Sequence, residues 1–283
     1  MKLSLFTVST PDMSPEQMAA AAKQAGLDAI EWRFKEVPAE FANEAPSFWK
    51  NNQCSIDPDS DEQALDRFKK AAEDHGLETL CVTPYLDAGD IAGTEKVLQA
   101  ARYLGARFIR VGVHAYDRSR NFGELFSEQI DYLRHAEALC KQYGIKGLVE
   151  THHKTIASSA SAAYRLCENF DPDVIGVLYD PGNLVHEGYE NYRMGMELLG
   201  PYLAHVHVKN TAWRRTESAG DEAVQWKTEW AGLTQGVVPW QEVMDDLKAI
   251  GYNGYLGLED FSKQFGSREM IEHYVGCVNK WTR

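Results

Sequence analysis

The chain has 283 residues, of which 44% are hydrophobic and 25% charged, a composition typical of a folded globular protein and not of a disordered one. Its formal net charge of −13 argues against duplex DNA or an anionic membrane surface as a partner, because Lys and Arg side chains provide most of the binding to both. Five scattered cysteines without a C-x-x-C pair argue against a disulfide framework and favour a reducing, cytoplasmic location. The first ten residues are too short for a signal-peptide core, and no stretch approaches the roughly 18 apolar residues of a membrane span.

Short runs rich in Val, Ile, Leu and Phe alternate along the chain with longer segments of helical periodicity. Eight runs predict strands, at 2–8, 29–34, 78–84, 107–113, 146–151, 174–180, 203–209 and 254–260. The first intervening segment begins at a Ser14–Pro15 helix start and ends at Gly26, and others repeat this plan. We therefore predict the α/β class, with residues 1–283 forming a single (β/α)₈ TIM barrel. A doubly wound open sheet is the alternative, because periodicity alone does not show closure.

Two connections are much longer than is usual in α/β units. They cover residues 35–60, after the second strand, and 210–236, after the seventh. Both follow the C-terminal end of a strand, which is the face where barrel enzymes build their active sites. Their tryptophans could cover a bound ligand, or the segments could be packed surface insertions: Trp49, Trp213, Trp226 and Trp230.

Four consecutive predicted strands end in a residue that can bind a divalent metal. These residues are Glu150, Asp180, His207 and Glu259, on the fifth to eighth strands. One acidic residue at a strand end commonly caps a helix or faces solvent, but four at the same rim favour a shared metal site. Three carboxylates and one imidazole suit one hard or borderline divalent ion, with manganese (Mn²⁺) or Mg²⁺ ahead of Zn²⁺ and with Co²⁺ also compatible.

The seventh predicted strand reads AHVHVKN and contains two histidines on one face, because side chains alternate along a strand. A strand rises about 3.3 Å per residue, so His205 would lie about 6.6 Å deeper in the barrel than His207. Only His207 is level with the other three strand ends. We therefore predict that His207 binds the metal and that His205 supports the site from beneath.

Glu150 and Glu259 lie on strands that are not adjacent and could face each other across a bound ligand. A metal that chelates a carbonyl and a neighbouring hydroxyl acidifies the C–H between them, so one glutamate could remove that proton and the other could return one. This predicts epimerisation or aldose–ketose isomerisation of a ketose or polyol. Other polar residues near these strand ends are candidates for substrate binding: Tyr85, His114, His152, Asn183, Lys209, Arg214 and Arg215. Glu31, on the second strand, is a further polar residue of this kind.

The motifs LVETHH, GVLYDPGN, AHVHVKN and GYNGYLGLEDF, in this order, resemble the sugar phosphate isomerase/epimerase family of xylose isomerase-like TIM barrels. The resemblance spans nearly the whole chain and is strongest to the ketose 3-epimerases. It implies a Glu–Asp–His–Glu metal set at the four residues above, with the two glutamates also transferring the proton. Those enzymes carry an arginine where this chain has Trp213 and a histidine where it has Asn183. Either Arg214 or Arg215 would then replace the arginine, or that substrate contact is missing.

The same superfamily includes lyases, such as inosose dehydratase, 3-dehydroshikimate dehydratase and C-glycoside-cleaving enzymes. A lyase on the same metal site and a non-catalytic sugar-binding barrel are therefore alternatives. Endonuclease IV also belongs to the superfamily, but its three-zinc cluster needs more His and Asp ligands than these strands supply. We expect a small-molecule sugar or polyol as the partner, no nucleic acid and no membrane, and a homodimer or homotetramer.

Overall fold

A closed sheet of eight parallel strands forms the centre of the molecule. The computed structural model describes residues 1–187, 190–216 and 224–283. Its strands are β1 (Lys2–Phe6), β2 (Ala29–Phe34), β3 (Ser55–Ile56), β4 (Glu78–Pro84), β5 (Phe108–Arg110), β6 (Lys146–Glu150), β7 (Ile175–Tyr179), β8 (Leu203–Val208), β9 (Asn210–Arg215), β10 (Trp226–Ala231) and β11 (Tyr255–Leu258). The barrel runs β1-β2-β4-β5-β6-β7-β8-β11 and closes where β11 pairs with β1. The predicted TIM barrel is confirmed, and the open-sheet alternative is wrong.

Helices surround the sheet. They are α1 (Pro15–Ala25), α2 (Glu62–Glu73), α3 (Ile91–Leu104), α4 (Phe122–Tyr143), α5 (Ala160–Cys167), α6 (Pro181–Leu184), α7 (Tyr192–Leu199), α8 (Trp240–Ala249) and α9 (Ser267–Trp281). Ser14 and Gln17 form a reciprocal capping box at the start of α1, and Gly26 ends it at a φ of 92° that favours glycine. None of the described helices is long and apolar enough to cross a membrane.

The apolar faces of these helices pack against the outer face of the barrel. Phe68 of α2, for example, meets the buried ring of Trp32 edge to face, with ring centroids 5.2 Å apart. At the base of the barrel, Ala29, Leu80 and Tyr255 form a small apolar cluster with Phe108 against it. Above this cluster, toward the C-terminal ends of the strands, the side chains inside the barrel are polar.

The strand predictions are confirmed, although most strands are shorter than predicted at one end or both. The fourth barrel strand, predicted over 107–113, is regular only from Phe108 to Arg110. Beyond it, Val111 N still donates to Leu148 O, but Gly112 N donates to the Tyr132 hydroxyl of α4. At Gly112 the hydrogen bond to the neighbouring strand is replaced by one to the Tyr132 side chain, and the chain leaves the sheet.

The two long connections differ in structure. The 35–60 segment contains a single helical turn at Ala39–Phe41 and the short strand β3, which pairs with β2. The 210–236 segment instead contains the antiparallel hairpin β9–β10, in which Asn210 pairs with Ala231 and Arg215 with Trp226. Residues 217–223 of that segment lie outside the described residues.

Candidate metal centre

Glu31 connects both histidines of β8 at the floor of the site. Its two carboxylate oxygens lie 3.0 Å from His205 Nε2 and 3.0 Å from His207 Nε2, and Ser4 Oγ donates to it at 2.7 Å. All four side chains are fully buried. Gly257 makes room for them, because a Cβ there would lie 2.3 Å from Glu31 Oε1. Burial raises the pKa of Glu31, but the two imidazoles lower it further, so this carboxyl is ionised.

His207 Nδ1 faces three carboxylates above this floor. It lies 3.9 Å from Glu150 Oε1, 3.9 Å from Asp180 Oδ2 and 3.7 Å from Glu259 Oε2. The nitrogen is buried and forms no hydrogen bond within the described residues. One ligand atom from each of the four residues lies within 4.8 Å of the others. An unpartnered imidazole nitrogen beside three carboxylate oxygens fits a single divalent ion.

Glu31, His205 and His207 also bring three ligand-type atoms within 4.8 Å. His205 Nδ1 lies 3.2 Å from Tyr255 O, so both of its ring nitrogens have polar neighbours. A carboxylate behind the far nitrogen of a metal-binding histidine fixes the orientation and tautomer of the ring. We interpret Glu31 as that support for His207.

Two cations hold the acidic residues in place. Lys209 Nζ lies 2.7 Å from Asp180 Oδ2 and also contacts Glu259 Oε2, while Arg110 donates to Glu150 Oε2 at 2.6 Å. Burial raises the pKa of Glu150 and of Glu259, but the cations lower both below the ordinary value. The pKa of Asp180 is raised, chiefly by burial. Both glutamates are therefore carboxylates at neutral pH.

Burial lowers the pKa of His207, but Glu31 and Glu259 together raise it to about 10 in the metal-free chain. The imidazole therefore holds a proton at neutral pH until a metal displaces it.

Asn183 positions two of the predicted ligands. Asp180 caps α6, where its Oδ1 accepts from Asn183 N at 3.0 Å. The Asn183 amide donates to Asp180 Oδ2 at 3.0 Å and to Glu150 Oε1 at 3.3 Å. Asn183 is fully buried, and its side chain contacts the predicted metal ligands Glu150 and Asp180.

A cavity of about 380 Å³ opens above the cluster. Its polar side includes Arg110, Glu150, His152, His153, Lys209 and Glu259, and its aromatic side includes Trp49, Tyr85, Trp230 and Phe261. Trp49 comes from the 35–60 segment and Trp230 from the β9–β10 hairpin, so both long connections contribute to the wall. Trp49 and Trp230 each pack against Phe261, with ring centroids 5.0 and 5.4 Å apart.

Three histidines stack beside this cavity. The ring of His153 lies between those of His152 and His186, with centroids 4.3 and 3.9 Å apart. Burial is the main cause that lowers the pKa of His153 to about 3 and that of His186 to about 4. These two rings are therefore neutral at physiological pH.

The family model that describes the xylose isomerase-like TIM barrel matches residues 19–277. The chain belongs to this family. Inosose dehydratase of Geobacillus kaustophilus is 26% identical over 138 residues, which are 46% of this chain and 44% of that protein. The chain therefore aligns with less than half the length of this curated relative.

Solved structures of the xylose isomerase-like fold cover almost the whole chain. The IOLI protein with a bound zinc atom superimposes with a TM-score of 0.75 at 16% identity, over 100% of this chain and 98% of that one. D-Psicose 3-epimerase from Clostridium cellulolyticum H10, solved with D-tagatose, has a TM-score of 0.70 at 15% identity, over 100% and 98%. At such identities the similarity shows the fold alone.

The xylose isomerase-like barrel brings some of the sequence-predicted substrate residues together and separates others. Tyr85, His152 and Lys209 line the cavity. Arg214 and Arg215 are exposed on the hairpin, where Arg214 pairs with Glu229. His114 lies 3.6 Å from Glu128 of α4 and is not among the cavity-lining residues.

Sequence reasoning did not identify Arg110 or the histidine stack as parts of the site. Arg110 is a charged residue inside an apolar predicted strand, two residues after Phe108. Residues two apart share a face of a strand, so this spacing could have indicated that Arg110 points into the barrel. His153 and His186 carried no such signal, because they follow different strands and meet only through the loops.

Proposed function

We propose that this protein is a divalent-metal-dependent sugar epimerase or isomerase, which moves a proton next to the metal-chelated carbonyl or hydroxyl of a ketose or polyol. Glu150 and Glu259 are the proposed proton-transfer pair. One observation carries the proposal: both glutamates line the same cavity and belong to the same four-residue ligand cluster. The epimerase among the similar solved structures agrees with the proposal at the level of fold.

The proposed metal ligands are Glu150, Asp180, His207 and Glu259, and the oxygen-rich donor set favours Mn²⁺, with Mg²⁺, Co²⁺ or Zn²⁺ as alternatives. An ion bound there would polarise a substrate carbonyl and so acidify the neighbouring C–H.

The protein groups supply the proton transfer itself. Because nearby cations keep Glu150 and Glu259 ionised, either can accept a proton from a substrate carbon. They come from β6 and from the residue just after β11, which are separated by β7 and β8 in the barrel. The glutamate that accepts the proton on one face becomes an acid and can return that proton to the next carbon. For epimerisation the second glutamate must first take up a proton from solvent, which it then delivers to the other face of the sugar.

Other residues of the cavity bind and orient the substrate. His152 and Lys209 offer hydrogen bonds to sugar oxygens at the polar wall. Trp49 and Trp230 cover the opposite side and would limit the access of bulk water to the reacting carbon during proton transfer.

A dehydratase is the second candidate, favoured by the match to inosose dehydratase. The first step would be the same removal of a proton next to a carbonyl. The hydroxyl of the adjacent carbon would then take up a proton and leave as water, so the product would be unsaturated and no epimer would form.

Solvent isotope exchange tests the proposal. The Mn²⁺-loaded protein is incubated in D₂O with a panel of ketoses and polyols, and the products are analysed by NMR. We expect deuterium at one carbon of an epimer or isomer, no reaction after chelator treatment, and recovery with Mn²⁺. An unsaturated product without an epimer would favour the dehydratase, and the absence of both exchange and product would contradict any proton transfer.

Two variants assign the proton-transfer pair. Glu150→Gln and Glu259→Gln should each lower the turnover rate by about 10²- to 10⁴-fold at saturating Mn²⁺, with bound metal quantified in parallel. Glu78→Gln is the matched control, because Glu78 begins β4 at the opposite end of the barrel and pairs with Lys2.

A further inference from the structure

Arg33 of β2 is a buried cation without an anionic partner. It is fully inaccessible to solvent, and its Nη1 donates to Ser55 Oγ at 2.5 Å. Its Nε and Nη2 are buried without a hydrogen bond to any described residue. Arg110 pairs with Glu150, but Arg33 forms no ion pair within the described part of the chain. A buried guanidinium without a paired anion is energetically costly, so the free donors of Arg33 point to a ligand that binds there.

The unpartnered edge of Arg33 has the geometry that binds a carboxylate. Nε and Nη2 point to the same side of a guanidinium and can donate two parallel hydrogen bonds. Arg67 uses this same edge on Glu16, with Nε at 2.6 Å from one oxygen and Nη2 at 3.0 Å from the other. Arg33 presents the same pair of donors with no carboxylate in place.

Arg33 lies beside the candidate active site. It shares the inward face of β2 with Glu31, two residues earlier, and its Cζ lies 5.5 Å from the centre of the Tyr85 ring. Arg110 lies 4.9 Å and Lys35 4.8 Å from the same ring. Tyr85 lines the active-site cavity and is 37% exposed, whereas Arg33 is buried behind the cavity lining, so a ligand would reach Arg33 only after the Tyr85 ring rotates.

The charges of the site agree with an anionic ligand. Arg33, Lys35 and Arg110 surround the Tyr85 ring, and of these three cations only Arg110 pairs with a carboxylate of the described residues, that of Glu150. Burial lowers the pKa of Arg33, and the effects that oppose it come from the charge and hydrogen bonding of the Tyr85 hydroxyl and not from a carboxylate. A carboxylate bound beside Tyr85 would offset this unpaired positive charge, whereas a neutral sugar would not.

We propose that Arg33, flanking Tyr85 together with Arg110, forms a carboxylate subsite of the cavity, and that the substrate is an acidic sugar with its carboxylate remote from the reacting carbonyl. This inference rests on the proposed function, and it adds the substrate class.

Paired ligands test the subsite by binding, without turnover. Each pair consists of a ketose and the corresponding keto-uronate, such as D-fructose with D-fructuronate and D-tagatose with D-tagaturonate. Affinities for the Mn²⁺-loaded protein are measured by calorimetry. We expect at least one keto-uronate to bind about tenfold or more tightly than its ketose, because a charged bidentate pair is added. Equal affinities in every pair, or no binding of any keto-uronate, would overturn the proposal.

Variants of Arg33 test whether this residue causes the preference for a keto-uronate over its ketose. Arg33→Met removes every donor of the guanidinium and should abolish the preference, with folding of the variant checked by its melting temperature. Arg33→Lys keeps the charge but cannot donate two parallel hydrogen bonds, so it should lose most of the preference even if Arg33→Met fails to fold. Arg134→Gln, on the exposed surface of α4, is the control and should keep the preference.

A preference that survives in both Arg33 variants would overturn the assignment. Tight uronate binding without deuterium exchange would contradict the proposed proton transfer and leave the subsite standing. Deuterium exchange in neutral ketoses without any preference for a uronate would support the proposed proton transfer and contradict the carboxylate subsite.

Discussion

The two halves of the barrel rim differ in charge. The half formed by β6, β7, β8 and β11 ends in the metal cluster Glu150, Asp180, His207 and Glu259. The half formed by β2, β4 and β5 ends in Arg33, Tyr85 and Arg110. The first half gathers acids that a divalent ion can neutralise, and the second supplies cations that face a ligand or keep those acids ionised. We propose that the cavity between the first, metal half and the second, cationic half binds an acidic sugar, with its carbonyl at the metal half and its carboxylate at the cationic half.

Glu31 is the exception to this division, because it lies on the cationic half and supports the metal half through His207. Glu31→Gln should weaken Mn²⁺ binding by about 10- to 100-fold, since a residue that orients a metal-binding histidine typically contributes that much. Competition with a metal-binding fluorescent indicator measures the change, and Glu78→Gln serves as the control. Unchanged Mn²⁺ affinity in Glu31→Gln would contradict the role of Glu31 in supporting His207.

The affinity of the metal half for Mn²⁺ should depend on pH. His207 has its pKa raised to about 10, so a metal must displace its proton, and Mn²⁺ affinity should rise about tenfold per pH unit between pH 6 and pH 8. Indicator titrations at several pH values measure the slope. In Glu31→Gln the slope should flatten, because the imidazole loses the carboxylate that holds its proton. Affinity that does not depend on pH in the unmodified protein would contradict a protonated His207.

The smallest effect is expected at the histidine stack, which lies beside the metal half. The folded-state pKa values of His153 and His186, about 3 and about 4, lie below the ordinary 6.5. The unfolded chain therefore takes up these protons first, so the stability from the neutral rings is complete above pH 6.5 and is lost as pH falls toward 3.

Melting temperatures at pH 7 and pH 5 test this effect. The unmodified protein should lose several degrees more than the double variant His153→Gln, His186→Gln. His135→Gln, on the surface of α4, is the control and should match the unmodified protein. Equal losses in the double variant and the control would mean that the stack is not acid-sensitive.

The barrel and the metal half could be predicted from the sequence because both depend on simple periodicities. Apolar runs give the strands, and residues at the ends of parallel strands meet at one rim, so Glu150, Asp180, His207 and Glu259 could be grouped without knowledge of side-chain positions. Strand rise was enough to separate His207 from His205.

The cationic half could not be predicted in the same way. Arg33 and Arg110 lie inside apolar strands, and periodicity does not show that their side chains flank Tyr85, which follows a third strand. Those contacts depend on the stagger of the strands around the barrel and on side-chain rotamers. Glu31 was visible as a polar residue on the second strand, but its two histidine partners lie across the barrel on β8.

Metal content is the most direct measurement of the central claim, that Glu150, Asp180, His207 and Glu259 hold one divalent ion. The unmodified protein, His207→Ala and His205→Ala are each loaded with Mn²⁺, desalted and analysed for bound metal. We predict about one ion per chain in the unmodified protein, near-complete loss in His207→Ala and retention in His205→Ala. Equal loss in both variants, or no metal bound by the unmodified protein, would contradict this assignment.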